Sequence, residues 1–211
     1  MLRNRIFLSL AALLAAACTP SHRLDIDLDN PGAPVQPTMY GIFFEDINYA
    51  ADGGLYAELV KNRSFEFPQD PLQGWKAFGK VEVRADGPFD RCPHYVRLQD
   101  PGHPAKWTGL DNEGYFGIGV KGGETYRFTV WARVPDGGAS ELRIELVNTA
   151  SLGEDQFVCQ EPLTVSGAGW KQYEVILRPS ETLEKGVLRI FLVGDRRTMD
   201  LEHVSLFPTD T

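Results

Sequence analysis

YRFTVWARVPDGGASELRIELVN, residues 126–148, alternates apolar and polar side chains on both sides of a glycine-containing turn. Tyr126, Phe128, Val130 and Ala132 fall on one face of the first strand this predicts, and Leu142, Ile144 and Leu146 on one face of the second. The period of two, with PDGGAS between the runs, is a β signal. Working outward, GWKQYEVILRP adds a strand with Tyr173, Val175 and Leu177 inward, GVLRIFLVG reads as a buried strand, and DLEHVSLFP as a closing one. Weaker alternation at KVEVRA, HYVRLQ and YFGIGV brings the expected number to about eight, with turns at the spacing of a sandwich. Gly 21 and Pro 14, about a sixth of 211 residues, suit short strands joined by tight turns. The expected fold is mainly β, a jelly-roll sandwich over residues 67–208.

The segment before it has another pattern. RLDIDLDNPGAPVQP predicts one short half-exposed strand at Leu24, Ile26 and Leu28, then a linker, together residues 18–37. YGIFFEDIN, with an apolar run at positions 40–44, predicts a strand buried on both faces. After Asp52, Gly53 and Gly54 comes a short amphipathic helix with Leu55 and Leu59 inward and Glu58 and Lys61 outward. Residues 38–66 thus predict one βα unit with no second parallel strand to complete it.

At the N-terminus, Arg3 and Arg5 precede an apolar run over residues 6–17, too short for a permanent membrane span and of the length of an export signal. LLAAAC resembles the lipobox of bacterial lipoproteins, which implies a signal peptide at 1–17, lipidation of Cys18 and an outer-membrane destination. Ala15 stands where the lipobox has leucine, so an ordinary cleaved signal with a cysteine nearby is the other reading. Removing Arg3 and Arg5 from the 21 basic residues leaves 19 against 29 acidic, a net charge of −10. No basic cluster is present, which argues against nucleic acid and favours a neutral polymer or ligand. Cys92 and Cys159 either pair, as export permits, or remain two thiols; neither has metal-ligand spacing, and no metal or cofactor is expected.

MYGIFFEDINYAADGGLYAELVKNRSFE, followed by GW and a β-segment ending LEHVSLFP, resembles the N-terminal part of family 51 glycoside hydrolases, the α-L-arabinofuranosidases. The resemblance covers nearly all of residues 24–208. It implies that residues 38–66 open a (β/α)8 barrel, left incomplete here, and that a module like carbohydrate-binding modules is inserted after them. It also implies a retaining hydrolase, which needs two carboxylates about 5 Å apart. In the family both are glutamates on later barrel strands, so no catalytic residue is expected in this chain. Glu45 matches the glutamate that ends the first barrel strand and contacts the arabinofuranose; from the residues alone, it could equally cap the loop or pair with Arg63.

Trp131 shares a strand face with Arg127, Thr129 and Arg133, as an aromatic sugar platform would, or else covers that face against a neighbouring element. Arg143 and Glu145 are expected on the equivalent face of the next strand. Trp75 and Trp170 read as core, and Trp107 and Tyr115 flank TGLDNEG, where they could line a rim. The expected partners are an arabinose-containing polysaccharide or oligosaccharide and, through Cys18, a membrane. The alternative is a stand-alone, lipid-anchored carbohydrate-binding or structural β-sandwich without catalytic activity.

Overall fold

A computed structural model describes residues 24–41, 43–100, 102, 107–149, 156–194 and 197–209. The signal segment and Cys18 lie outside the described residues. The chain divides into two compact units, 1–44 and 45–211.

The first unit holds a 3-10 turn, Pro37–Met39, closed by Met39 N donating to the Gln36 carbonyl at 2.9 Å, and its described residues form no strand. Leu24, Ile26 and Leu28 are exposed, as are Tyr40, Phe43 and Phe44. The strands expected at 24–28 and 40–44 are therefore not formed. A strand is held by ladder partners on at least one side, and these segments have none among the described residues.

The second unit is a β-sandwich with eleven antiparallel strands among the described residues: β1 (Trp75–Phe78), β2 (Lys80–Arg84), β3 (Tyr95–Gln99), β4 (Gly109–Asn112), β5 (Ile118–Val120), β6 (Tyr126–Arg133), β7 (Ala139–Asn148), β8 (Gln156–Ser166), β9 (Lys171–Leu177), β10 (Leu183–Val193) and β11 (Thr198–Pro208). One sheet has the order β1-β4-β10-β7-β8, with β5 also on β10; the other has the order β2-β3-β11-β6-β9. The inward residues read from alternation form the core: Tyr126, Phe128, Val130 and Ala132 of β6 meet Leu142, Ile144 and Leu146 of β7, all buried, with Leu188, Ile190, Leu201 and Leu206 from β10 and β11. Tyr173 and Val175 pack partly buried against them, and Leu177 is fully buried. At about 25 cal/mol per Å² of apolar surface removed from water, this interdigitated layer is the main stabilising term.

PDGGAS does not close a hairpin, because β6 and β7 belong to different sheets. Arg143 and Glu145 therefore lie on the far side of the sandwich from Trp131, not beside it. β11 carries one residue more than β6 at mid-strand: Glu202 pairs with Trp131 and Ser205 with Thr129. His203, with φ 48°, absorbs the extra residue as a bulge.

The expected helix after Gly54 is also absent. Residues 57–65 run as irregular chain along β11, with Leu59 N donating to the Leu206 carbonyl at 3.1 Å and Val204 N to the Arg63 carbonyl at 3.0 Å. Asn112 brackets Lys61, its Oδ1 accepting from Lys61 N and its Nδ2 donating to Lys61 O. Non-local partners thus satisfy backbone groups that a short isolated helix, itself marginal, would pair internally. Two of the expected positions are exchanged as well, with Leu55 91% exposed and Glu58 1%, while Leu59 packs partly buried against the core as expected.

Candidate saccharide-binding faces

Glu45 is exposed and opens the second unit. Arg63 does not serve it: its Nη1 lies 3.3 Å from Tyr56 Oη and 3.7 Å from Glu58 Oε2. Burial opposes the charge of Arg63, but the Tyr56 hydrogen bond and the nearby acids raise its pKa overall. Glu58 is a structural staple. Its Oε1 accepts from Val60 N at 3.0 Å and Leu206 N at 2.9 Å, and its Oε2 from Ser205 Oγ at 2.6 Å. With three of about four acceptor sites taken and the residue 1% exposed, this carboxylate is held as a structural group and is not presented to a substrate.

Beside this segment lies a cavity of about 440 Å³ lined by Asp46, Tyr49, Asp52, Tyr56, Arg63 and Tyr115 among others. Burial, helped by the field of Asp52, pushes the Tyr115 hydroxyl up to about 12, so this phenol stays a hydrogen-bond donor at physiological pH. Gly53 is needed for that wall: at φ 80°, a Cβ here would stand 2.4 Å from the Tyr115 ring.

Trp131 is half-buried on the outer face of the five-stranded sheet. Phe89 meets it edge-on at 5.1 Å between centroids and touches the His203 ring at 5.0 Å. Its cross-strand neighbours are Glu202 and Gln172. Glu202 is fully buried; its Oε1 lies 2.6 Å from His203 Nδ1, and its Oε2 has no partner. Burial raises the Glu202 carboxyl against the opposing His203 hydrogen bond. Further along the face, Arg127, Thr129, Gln172, Glu174, Ser205 and Phe207 line a polar hollow of about 320 Å³.

One row beyond Trp131, the face is closed by charge. Asp200, fully buried, accepts from Arg97 Nε at 2.6 Å and Nη2 at 2.8 Å, and from Arg133 Nε at 2.7 Å. The Arg97 guanidinium is held more basic than usual, chiefly by its hydrogen bonds to Asp200. Trp170, expected in the core, instead lies outside, with the Arg133 guanidinium over its ring at 4.7 Å and Tyr95 meeting it edge-on at 5.2 Å. Trp75 is the core tryptophan, its Nε1 donating to Asn62 O at 2.9 Å.

Cys92 and Cys159 are free thiols, both pushed up by burial, which makes them poor nucleophiles. Among the described residues, no three His, Cys, Asp or Glu side chains are grouped to hold a metal ion. Three features had no local signature in the sequence: the Glu58 staple, the shared Asp200 and the Glu202–His203 pair. The first two depend on contacts between segments far apart in the chain, and the third joins adjacent residues at the β11 bulge.

Residues 57–196, about two-thirds of the chain, match the family described as "Carbohydrate binding domain". The chain belongs to the carbohydrate binding domain family. Among curated proteins, this domain chain is 37% identical to the extracellular exo-α-L-arabinofuranosidase of Streptomyces chartreusis, over 95% of its own length and 25% of that protein. It is 30% identical to α-L-arabinofuranosidase 1 of Arabidopsis thaliana, over 91% of its length and 30% of that protein. Among solved structures, the arabinose-bound MgGH51 α-L-arabinofuranosidase superposes with a TM-score of 0.68 at 26% identity, covering 80% of this chain and 29% of that one. The tandem domain of Paenibacillus barcinonensis Xyn10C, at 15% identity and TM-score 0.53 over 73% of this chain and 45% of that one, shares the fold. The chain thus spans 19–30% of the length of the arabinofuranosidases it matches.

Proposed function

We propose that this chain is the N-terminal segment of an exported α-L-arabinofuranosidase that removes terminal α-L-arabinofuranosyl residues from plant polysaccharides. The observation that carries this reading is the 37% identity over 95% of the chain with the Streptomyces enzyme. That match runs past the ends of the domain at 57–196 into sequence that a stand-alone binding module does not need. In this reading residues 38–66 become the first βα unit of a (β/α)8 barrel once the rest of the barrel supplies ladder and helix partners. The exposure of Tyr40, Phe43, Phe44, Ile47 and Leu55 fits surfaces awaiting such partners. Residues 67–208 form the inserted jelly-roll module, and residues 18–37 lead into the barrel.

Glu45 then contacts the terminal arabinose, and Trp131 a sugar on the outer face of the five-stranded sheet. Hydrolysis is retaining, with both catalytic glutamates outside this chain. The extracellular relative supports export; the lipobox-like LLAAAC adds lipidation at Cys18 and outer-membrane anchoring.

The test is hydrolysis of p-nitrophenyl α-L-arabinofuranoside. Protein expressed from the complete reading frame should release arabinose with retained anomeric configuration, and the 211-residue chain alone should release none. Enzyme-like turnover by the isolated chain would overturn the placement of the catalytic pair. An inactive complete protein would leave the stand-alone binding domain as the better account.

A further inference from the structure

Glu45 stands at the head of a loop that the sandwich itself holds. This loop, residues 45–56, belongs to the same compact unit as the sandwich. Asp46 closes it from within: its Oδ1 accepts from Ala51 N at 2.9 Å, and Ala50 N donates to the Ile47 carbonyl at 3.1 Å. At the apex Asn48 and Tyr49 both take positive φ, 54° and 59°. Two successive side-chain-bearing residues in the left-handed region are costly, and they persist only where surrounding contacts over-determine them. Those contacts converge on Tyr49. From residue 43 to residue 56, Tyr49 and Ala51 are the two that are not exposed. The Tyr49 ring lies 5.1 Å from Tyr115 and meets Phe116 edge-on at 5.4 Å, while Lys61 Nζ donates to its hydroxyl at 2.9 Å. Tyr115 and Phe116 are carried by the turn between β4 and β5. That turn is tied down by Gly117 N donating to the Glu113 carbonyl at 3.0 Å and Gly114 N to Asn112 Oδ1 at 2.9 Å. Neither ring belongs to the sandwich core: Phe116 is 67% exposed, and Tyr115 is half-buried against Tyr49 and Gly53.

We propose that Tyr49 and Tyr115 are positioning residues for the hydrolysis: the β4–β5 turn of the sandwich braces the 45–56 loop, and through it fixes the direction in which Glu45 meets the sugar. The proposal deepens the function proposed above and rests on its assignment of Glu45 to the terminal arabinose. Within residues 38–66, this loop lies between the expected strand and the expected helix. It is therefore the part that ladder and helix partners of a barrel leave unsupported, and the sandwich supplies the missing support. A contact to a sugar hydroxyl is made in the ground state and in the transition state alike. Loosening the carboxylate that makes it falls chiefly on KM, whereas kcat stays with the catalytic pair elsewhere.

The experiment is a double-mutant cycle on protein from the complete reading frame, read as initial rates of p-nitrophenyl α-L-arabinofuranoside hydrolysis. This substrate carries a single sugar, so capture of a polymer by the sandwich does not enter the readout. Tyr115→Ala should raise KM about tenfold and leave kcat within about twofold, and Tyr115→Phe, which keeps the ring, should restore most of the affinity. Gly53→Ala sets a Cβ against the Tyr115 ring and disturbs the same contact from the loop side. It should raise KM likewise, and it carries the test if Tyr115→Ala does not fold, as judged by thermal unfolding. In a Glu45→Ala background, either substitution should change KM by less than about twofold, because the group it positions is gone. Four outcomes overturn the proposal and leave the arabinofuranosidase reading intact: wild-type KM in Tyr115→Ala, wild-type KM in Glu45→Ala, an equal loss with and without Glu45, or Tyr115→Phe as impaired as Tyr115→Ala. A complete protein without turnover overturns that reading and this one together.

Discussion

The two outer faces of the sandwich use the same residue types to different ends. On the five-stranded face, Asp200 is sealed from solvent between Arg97 and Arg133, and residues 57–65 run along the same strand, β11, with Glu58 pinned to it. On the six-stranded face, Asp111 has the single Arg189 pair, whose guanidinium lies against half-exposed aromatic rings beside a hollow. An arginine–aspartate pair is therefore not a functional signature in itself. Closed over by a second arginine, it fixes strands together; roofed by a tryptophan that water still reaches, it stiffens a surface without sealing it.

The contrast can be broken most directly at the two aspartates. Asp200→Ala leaves two guanidinium groups facing each other without a counter-charge and should cost about 3–5 kcal/mol in urea unfolding. Asp111→Ala leaves one guanidinium, not two, without its counter-charge at a site that is also buried, and should cost less, about 2–3 kcal/mol. Equal costs would mean that the faces do not differ in this way. Of similar size, Glu58→Ala strands two backbone donors and the Ser205 hydroxyl; about 2–3 kcal/mol is expected by the same measurement, with hydrogen exchange rising first at the Val60 and Leu206 amides.

The smallest expected effect is at Glu202. Burial raises its carboxyl, so the folded state binds the proton more tightly than the unfolded chain. The stabilisation from that proton is complete below the ordinary carboxylate range and is lost as pH rises through the raised value. Glu202→Gln cannot ionise, so its Tm at neutral pH should rise by roughly 1–3 °C while its Tm in acid matches the wild type. A variant equally destabilised at both pH values would show that the carboxylate is needed for its His203 contact.

What could be read from the sequence was whatever burial on one side imposes on a strand. Phe128 and Val130, Leu142 and Ile144, and Val175 and Leu177 each announce an inward face, because a one-residue slip would expose the whole set. The apolar run at 40–44 and the spacing around Leu55 and Leu59 carry equally clear local patterns, yet neither forms its element, since pattern states a preference and partners decide whether it is met. Glu58 has the opposite character. Nothing local predicts a buried glutamate there, and its partners at Ser205 and Leu206 lie far along the chain.

Phe78, Trp107 and Phe191, whose rings meet on the six-stranded face, likewise belong to three unremarkable stretches, and only the register of β1, β4 and β10 makes them neighbours. The placement of Arg143 and Glu145 beside Trp131 failed for a related reason. Alternation fixes the face within a strand, whereas the sheet to which a strand belongs is settled by its pairing partners.

Loss of one residue from the middle of a strand ordinarily turns every following side chain to the wrong side. His203 is the position in β11 where this need not happen. Opposite a single residue of β6, the bulge holds both His203 and Val204, so a chain lacking the histidine would still present Val204 and Leu206 to the core and Ser205 and Phe207 outward. Such a deletion would regularise the ladder and relieve a positive φ, at the cost of leaving Glu202 without its imidazole. In an alignment, a gap at this histidine would be one that the fold can absorb.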